Sequence, residues 1–251
     1  MSEKEVKFKG FNGNELNGFF SQNNGPIGIL FCHGLTADEK SFADFPRKLA
    51  EHGYNVLTFD YSGHGKSQGT KGLFTQESHQ EDTLRAIDFL IKAGSSKIAV
   101  LGHSLGTYPA LLSLKEKNVI AAILVCPSRK SGDNLSFYKR ILIWLIGHFY
   151  QVFGRFVKKE IYFKNINLRF LAYALKINNL KLLKKTKKPI LIVAAKKDRD
   201  IILKKSLYLY KNVDSGKKEL IILEKSGHNP FFGPDKDLLL NNIDKFIKAV
   251  I

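Results

Sequence analysis

Six short, nearly unbroken apolar runs recur along this chain: IGILFC (27–32), NVLTF (55–59), KIAVLG (97–102), VIAAILVC (119–126), PILIVAA (189–195) and KELIIL (218–223). A strand with one wet face alternates apolar and polar residues, whereas a strand covered on both faces does not. These runs therefore suit a parallel sheet buried between two layers of helices. Segments with helical periodicity lie between them. Phe42–His52 stops at Gly53, and Glu77–Ala93 sets Leu84, Ile87, Leu90 and Ile91 on one face before Gly94. Thr107–Lys117 and Lys236–Ile251 complete the set. Ahead of them, KEVKFKGFNGNELNGFF reads as two strands around an Asn12-Gly13 turn. The alternation predicts an α/β protein with a mostly parallel, doubly wound sheet of eight strands and right-handed crossovers.

Residues 128–188 break the pattern, with no strand-like run and many aromatic residues, Trp144, Phe149, Phe153 and Phe156 among them. The simplest reading is a helical insertion, bracketed by Pro127 and Pro189, between the two parts of one core, 1–127 and 189–251. A chain of 251 residues suits such a core plus a small inserted cap, and 44% apolar content excludes a disordered polymer. The opening MSEKEVKFKGFNGN has no apolar stretch of the secretory type. The most apolar run, ILIWLIGHFYQVF (141–153), is broken by His148 and Gln151. It falls short of the roughly 18–20 residues a spanning helix needs, so a cytoplasmic location is expected. Cys32 and Cys126 each end an apolar run and read as buried, reduced thiols. No CxxC, HExxH or His-Cys cluster is present, so no metal ligand set and no cofactor are expected.

The net charge of +17 is concentrated. Between Ser128 and Lys188, 15 Lys or Arg stand against Asp133 and Glu160, so this segment carries +13 of it. A Lys-rich solvated surface is the plain reading. An anionic lipid surface, or an anionic substrate such as an acyl-CoA thioester, would give the charge a role. Single-stranded nucleic acid also favours basic residues interleaved with aromatics, but no nucleic-acid motif accompanies them. The oligomeric state leaves no mark in the sequence.

Two stretches match Gly-x-Ser-x-Gly: GKSQG (65–69) and GHSLG (102–106). A serine nucleophile of this kind sits on a tight turn between a strand and a helix. Ser104 has KIAVLG before it and TYPALLSL after it; Ser67 lies in a glycine-rich loop with no helix at once following. Ser104 is therefore the candidate nucleophile and Ser67 a loop serine. A hydroxyl also needs a base and a carboxylate to orient that base. Among seven histidines, His228 in EKSGHNPF follows the last strand, at the sheet edge where open α/β sheets build their sites. His52 and His79 lie in helical patterns and read as surface residues, while His33 and His64 read as structural. Asp198, in KKDRD after PILIVAA, is the preferred acid, with Asp200 the fallback. Two backbone N–H groups are expected to receive an oxyanion, those of Leu35 in HGLT and Leu105 just after the nucleophile.

These residues resemble the α/β-hydrolase superfamily over about 1–127 and 189–251. Four motifs stand in family order: CHGLT (32–36), DYSGHGKSQG (60–69), GHSLG (102–106), and KKDRD (196–200) with SGHNP (226–230). The second is similar to the family's D-x-R-G-x-G-x-S loop, which accounts for GKSQG as a decoy. Ser62 stands where the family often has Arg, and Ala195 where a Gly commonly precedes the acid. The chain looks most similar to carboxylesterases, monoacylglycerol lipases and cinnamoyl or feruloyl esterases with a helical cap after the sixth strand. The resemblance implies a small-molecule ester substrate with an apolar acyl group, cleaved through an acyl-enzyme by Ser104, His228 and Asp198. Trp144, Phe149 and Phe153 of the cap are then candidates to line the acyl site. A thioesterase, and more remotely a serine aminopeptidase, share the same motifs.

Overall fold

A computed structural model describes residues 2–35, 37–71, 75–129, 177–198 and 200–251, with the pieces 141–142, 145–146, 148–149, 162–163, 166–167 and 173 between them. The chain opens with β1 (Ser2–Lys9) and β2 (Glu15–Gln22), paired antiparallel. Their turn places Asn12 and Gly13 at φ of 53° and 73°, the left-handed region in which Asn and Gly are the least strained residues. The expected strands follow as β3 (Ile27–Cys32), β4 (Asn55–Phe59), β5 (Lys97–His103) and β6 (Val119–Val125). A two-stranded hairpin, β7 (Tyr162–Phe163) with β8 (Ile166–Asn167), lies inside the segment where the sequence pattern shows no strand. The sheet is completed by β9 (Ile190–Ala195) and β10 (Lys218–Leu223).

The eight-stranded sheet has the order β1-β2-β4-β3-β5-β6-β9-β10. Its first two pairings along this order, β1 with β2 and β2 with β4, are antiparallel; every other pairing is parallel. All of β3, β4 and β9 are buried, as unbroken apolar runs require. On one face, Leu30, Val100 and Ile192 pack against α2 (Gln76–Lys92) and α3 (Thr107–Leu112). On the other, Phe31, Leu101 and Val193 pack against α1 (Phe45–Glu51) and the C-terminal helix, Lys236–Val250. Two further helices, α4 (Asn179–Leu183) and α5 (Asp200–Lys211), precede that C-terminal helix, which becomes α6. α5 is not among the helices expected from the sequence, because the charged run KKDRD that leads into it reads as a loop.

The buried face of α2 differs from the apolar stripe read in the sequence. It carries Ser78, His79, Asp82, Thr83, Ala86, Ile87 and Leu90, while Ile91 is exposed. The reason is hydrogen bonding. The Asp82 carboxylate, fully buried, accepts from the Phe11 N–H at 2.7 Å, the Ser62 N–H at 2.8 Å and the Ser62 hydroxyl at 3.1 Å. It thereby clamps the β1–β2 turn to the loop that follows β4. Burial pushes its pKa up despite those donors. His79, read as a surface residue, is buried too, and its Nδ1 lies 2.8 Å from the Tyr173 hydroxyl. Asn179 on α4 donates to Thr107 Oγ1 at 2.9 Å and to the Ser128 carbonyl at 2.8 Å. Tyr173 and Asn179 of the inserted segment are thus tied to α2 and α3.

Removing a buried carboxylate that holds three donors leaves those donors without acceptors. Asp82→Ala is expected to cost about 3 kcal/mol or more, and Ser62→Ala only about 1 kcal/mol, in urea unfolding followed by circular dichroism.

Candidate active site

The end of β5 runs straight into a tight turn. Ser104 follows with φ of 52°, a left-handed conformation that costs a non-glycine residue roughly 1–2 kcal/mol, and α3 begins at Thr107. Two contacts explain the flanking glycines. A Cβ on Gly102 would run into the Gly106 carbonyl, and one on Gly106 would run into the Cys32 carbonyl at the end of β3. The turn holds the Ser104 side chain over the carboxyl edge of the sheet, and the Thr107 hydroxyl donates to the Ser104 carbonyl at 2.6 Å. The loop after β3 closes over it: a Cβ on Gly34 would stand 3.3 Å from Ser104 Cβ. Leu35 follows Gly34 in that loop, and Leu105 follows Ser104. Both side chains pack partly buried against the core.

His228 and Asp198 arrive on the loops that leave β10 and β9. The strand pairing continues into these loops, since Lys196 N–H donates to Leu223 O at 2.8 Å and Lys197 N–H to Ser226 O at 3.1 Å. His228 Nδ1 lies 2.6 Å from Asp198 Oδ2, and His228 Nε2 lies 3.1 Å from Ser104 Oγ. With a carboxylate on Nδ1, the proton resides there, and Nε2 is left to accept from the serine hydroxyl. The Asp198 side chain is 1% exposed and the His228 side chain 36%. Asp198 is thus sealed from solvent while His228 can be reached.

Three further residues hold the His228 loop, and none of them carries a sequence signal of its own. Asp235 accepts from the Lys225 N–H at 2.7 Å and the Ser226 N–H at 2.9 Å. Asn229 Nδ2 donates to Ser41 O at 3.0 Å, tying the loop to the segment before α1. His103, next to the serine, turns away from it and donates through Nε2 to the His228 carbonyl at 2.8 Å. Cys126, expected to be an inert core thiol, is buried, but its Sγ, a carboxylate oxygen of Asp198 and a ring nitrogen of His228 all lie within 4.8 Å of one another. Among the described residues this is one gathering of side chains with metal-ligating atoms. A metal would require the thiolate, whereas burial and the Asp198 carboxylate push the thiol's pKa up and keep it protonated.

The remaining residues singled out in the sequence fall as follows. Ser67 lies in the loop after β4, where it donates to the Asp60 carbonyl at 2.6 Å and accepts from the Asn17 N–H at 2.8 Å. It serves that loop's shape. His33 accepts the Tyr61 N–H on Nε2 at 3.2 Å and contacts the Gly34 carbonyl through Nδ1 at 2.9 Å, so it braces the loop that carries Leu35. His64 contacts the Ser62 carbonyl at 3.1 Å, and His52 pairs with Asp244 at 3.3 Å. Asp200 opens α5, and its side chain lies outside the described residues. Trp144 and Phe153 also lie outside them, while Phe149 is about half exposed at 51%. Among the described residues no helix is long and apolar enough to cross a membrane.

A family model described as serine aminopeptidase, S33, matches residues 27–166, more than half of the chain. The chain belongs to this family. The matched stretch includes the Ser104 turn and stops short of Asp198 and His228. Over 236 residues the family member is 24% identical to an uncharacterized protein, YqkD, of Bacillus subtilis, covering 88% of this chain and 71% of that one. A putative esterase/lipase 2 of Mycoplasma pneumoniae is 26% identical over 45% of this chain and 42% of its own length. A putative non-heme haloperoxidase of Mycobacterium phage D29 is 27% identical over 52% of this chain, which spans only 44% of the phage protein. Among solved structures, the α/β hydrolase GrgF from Penicillium sp. sh18 superposes with a TM-score of 0.85 at 20% identity, covering 100% of this chain and 99% of that one. A monoacylglycerol lipase from Paleococcus ferrophilus superposes with a TM-score of 0.72 at 18% identity, with full coverage of both chains. These likenesses establish the α/β-hydrolase fold.

Burial dominates the electrostatics around the site. It lowers the pKa of His33 and of His103 to about 4, that of His64 to about 3, and that of His79 well below the ordinary value. Each folded value lies below the unfolded value of about 6.5, so the unfolded chain binds more protons and stability falls as pH falls. The melting temperature should therefore lose the histidines' contribution from about pH 6.5 toward about pH 4, opposed by Glu39, whose carboxyl burial pushes up to about 7. Replacing His33 or His103 by a neutral residue should flatten that fall.

Proposed function

We propose that this chain is a serine hydrolase that cleaves carboxylic esters with an apolar acyl group through an acyl-enzyme. The observation that carries this reading is the unbroken path from Ser104 Oγ through the His228 ring, 3.1 Å and 2.6 Å, to the sealed Asp198 carboxylate. Ser104 attacks the carbonyl carbon while His228 Nε2 takes its proton. Asp198 holds the Nδ1 proton in place and stabilises the imidazolium that forms. The negative charge on the former carbonyl oxygen is received by the N–H groups of Leu35 and Leu105. His228 then returns the proton to the departing alkoxide, which leaves the acyl group on Ser104. Water enters, gives a proton to His228 and releases the acid, and the proton returns to Ser104 Oγ. The chain's own residues complete this sequence, with no step that calls for a metal or an organic cofactor.

Esters are the favoured class because relatives of this chain carry esterase and lipase names. In this reading the 128–188 segment forms the cap over the acyl site, with Trp144, Phe149 and Phe153 as its apolar lining. An anionic lipid surface is a fitting partner: the segment combines its +13 charge with exposed Ile141, Leu142, Leu145 and Phe149. The same charge favours one alternative substrate, an acyl-CoA thioester whose phosphates would meet the lysines.

Fluorophosphonate labelling tests the nucleophile. Ser104→Ala should abolish labelling and lower kcat on nitrophenyl esters by about 10⁴-fold or more, and Asp198→Asn by a similar order. Ser67→Ala and Asp200→Asn should still label. Labelling that survives in Ser104→Ala and disappears in Ser67→Ala would overturn the assignment. The substrate class is read from nitrophenyl esters of increasing chain length run beside acyl-CoA thioesters and aminoacyl amides. Fast thioester turnover with negligible ester cleavage would replace the preferred substrate with the alternative.

A further inference from the structure

The loops after β6 and β9 meet because these strands are parallel neighbours, paired from Ala122 with Ile190 to Val125 with Val193. Cys126 extends this pairing by one step, its N–H donating to the Val193 carbonyl at 2.8 Å. It does so at φ of 51°, a left-handed backbone that a cysteine adopts only at a cost. Strain of this kind persists where the surrounding structure needs the side chain it aims. Here the aimed group is a thiol, 1% exposed, whose sulfur sits within 4.8 Å of both Asp198 and His228.

We propose that Cys126 is a positioning residue for the reaction: its S–H donates a hydrogen bond to the Asp198 carboxylate and holds that carboxylate toward His228. The chemistry of the two groups sets the direction of the bond. Asp198 has acceptors only, and it already receives the His228 Nδ1 proton at 2.6 Å. A protonated thiol beside it has one hydrogen to give, and the carboxylate is the acceptor gathered with it. Burial and the neighbouring carboxylate both favour the thiol over the thiolate, so the sulfur keeps its hydrogen.

The choice of sulfur has a consequence for catalysis. A carboxylate whose lone pairs are claimed by strong donors is a weaker partner for an imidazolium. A thiol is a weak donor, so its own bond orients Asp198 while taking little of the carboxylate's basicity. Cys126 touches neither substrate nor the attacking oxygen, and its effect passes through Asp198. This inference rests on the serine-hydrolase reading above, in which Asp198 orients the base.

Two measurements test it. In the first, Cys126→Ser keeps a donor in the same place, a stronger one, and Cys126→Ala removes it. Alanine should lower kcat about fivefold or more with KM unchanged, and serine should recover most of that loss without reaching the parent value. Serine as impaired as alanine, or both variants equal to the parent, overturns the proposal. In the second, the S–H stretching band is read by infrared spectroscopy in otherwise intact protein carrying Cys32→Ala, so that Cys126 supplies the single thiol. The band should lie below the position of a free thiol and move up when Asp198→Ala is added. A band already at the free-thiol position overturns the proposal. The infrared result is independent of turnover and does not require Cys126 variants to fold. Labelling of Ser104→Ala by the fluorophosphonate is the separate result that would bring down the underlying reading.

Discussion

Burial of the parallel strands on both faces governs the arrangement of the rest of the molecule. Helices cover the two faces of β3, β4 and β9, so no polar side chain can do chemistry there without a large desolvation cost. The carboxyl edge is the place left open. There each strand gives way to a loop, and parallel pairing brings loops distant in the chain to within hydrogen-bonding reach. Ser104 after β5, Asp198 after β9 and His228 after β10 meet at that edge. The strand pairing thereby sets the spacing of the chemistry.

Loops at such an edge lack the regular hydrogen bonds of a sheet, and this protein holds them with buried polar side chains. Asp82 fastens the loop after β4 to the first hairpin, Asp235 fastens the His228 loop, and His103 binds the His228 backbone from below. His33 supports the loop that carries Leu35. Each of these residues is charged or titratable and shielded from water, so each ties the shape of the site to its own protonation state. An imidazole that accepts a backbone N–H, as His33 does, cannot take a proton on that nitrogen without giving up the bond. Rigidity at the edge and sensitivity to acid thus share one cause.

The period of the apolar residues was enough to locate the sheet. IGILFC, NVLTF and KELIIL correspond to β3, β4 and β10 residue for residue. β3 and β4 are covered on both faces as their unbroken apolar runs require, whereas β10, expected to be covered likewise, is the edge strand and leaves Ile222 exposed. The polar interior was less visible. His79 and Asp82 look like surface residues on a helix, since their partners, Tyr173, Phe11 and Ser62, lie far away along the chain. A buried polar side chain obeys no period; its burial is justified by a partner, and the partner is supplied by the fold. α5 gives a weaker signal for a related reason, because the charged run KKDRD leads straight into it.

The sequence by itself determined the order of the sheet's strands along the chain, the strand–turn–helix around Ser104, and the distinction between GHSLG and GKSQG. All of these depend on backbone conformation and local periodicity, which neighbouring residues encode. Only the tertiary structure decided that Asp198 faces His228, that His103 turns to the His228 carbonyl, and that Cys126 comes to lie beside Asp198. Those contacts join residues separated by 30 to 125 positions or carried on different strands. Their distances follow from the order and direction of strand pairing, which no local stretch of sequence contains.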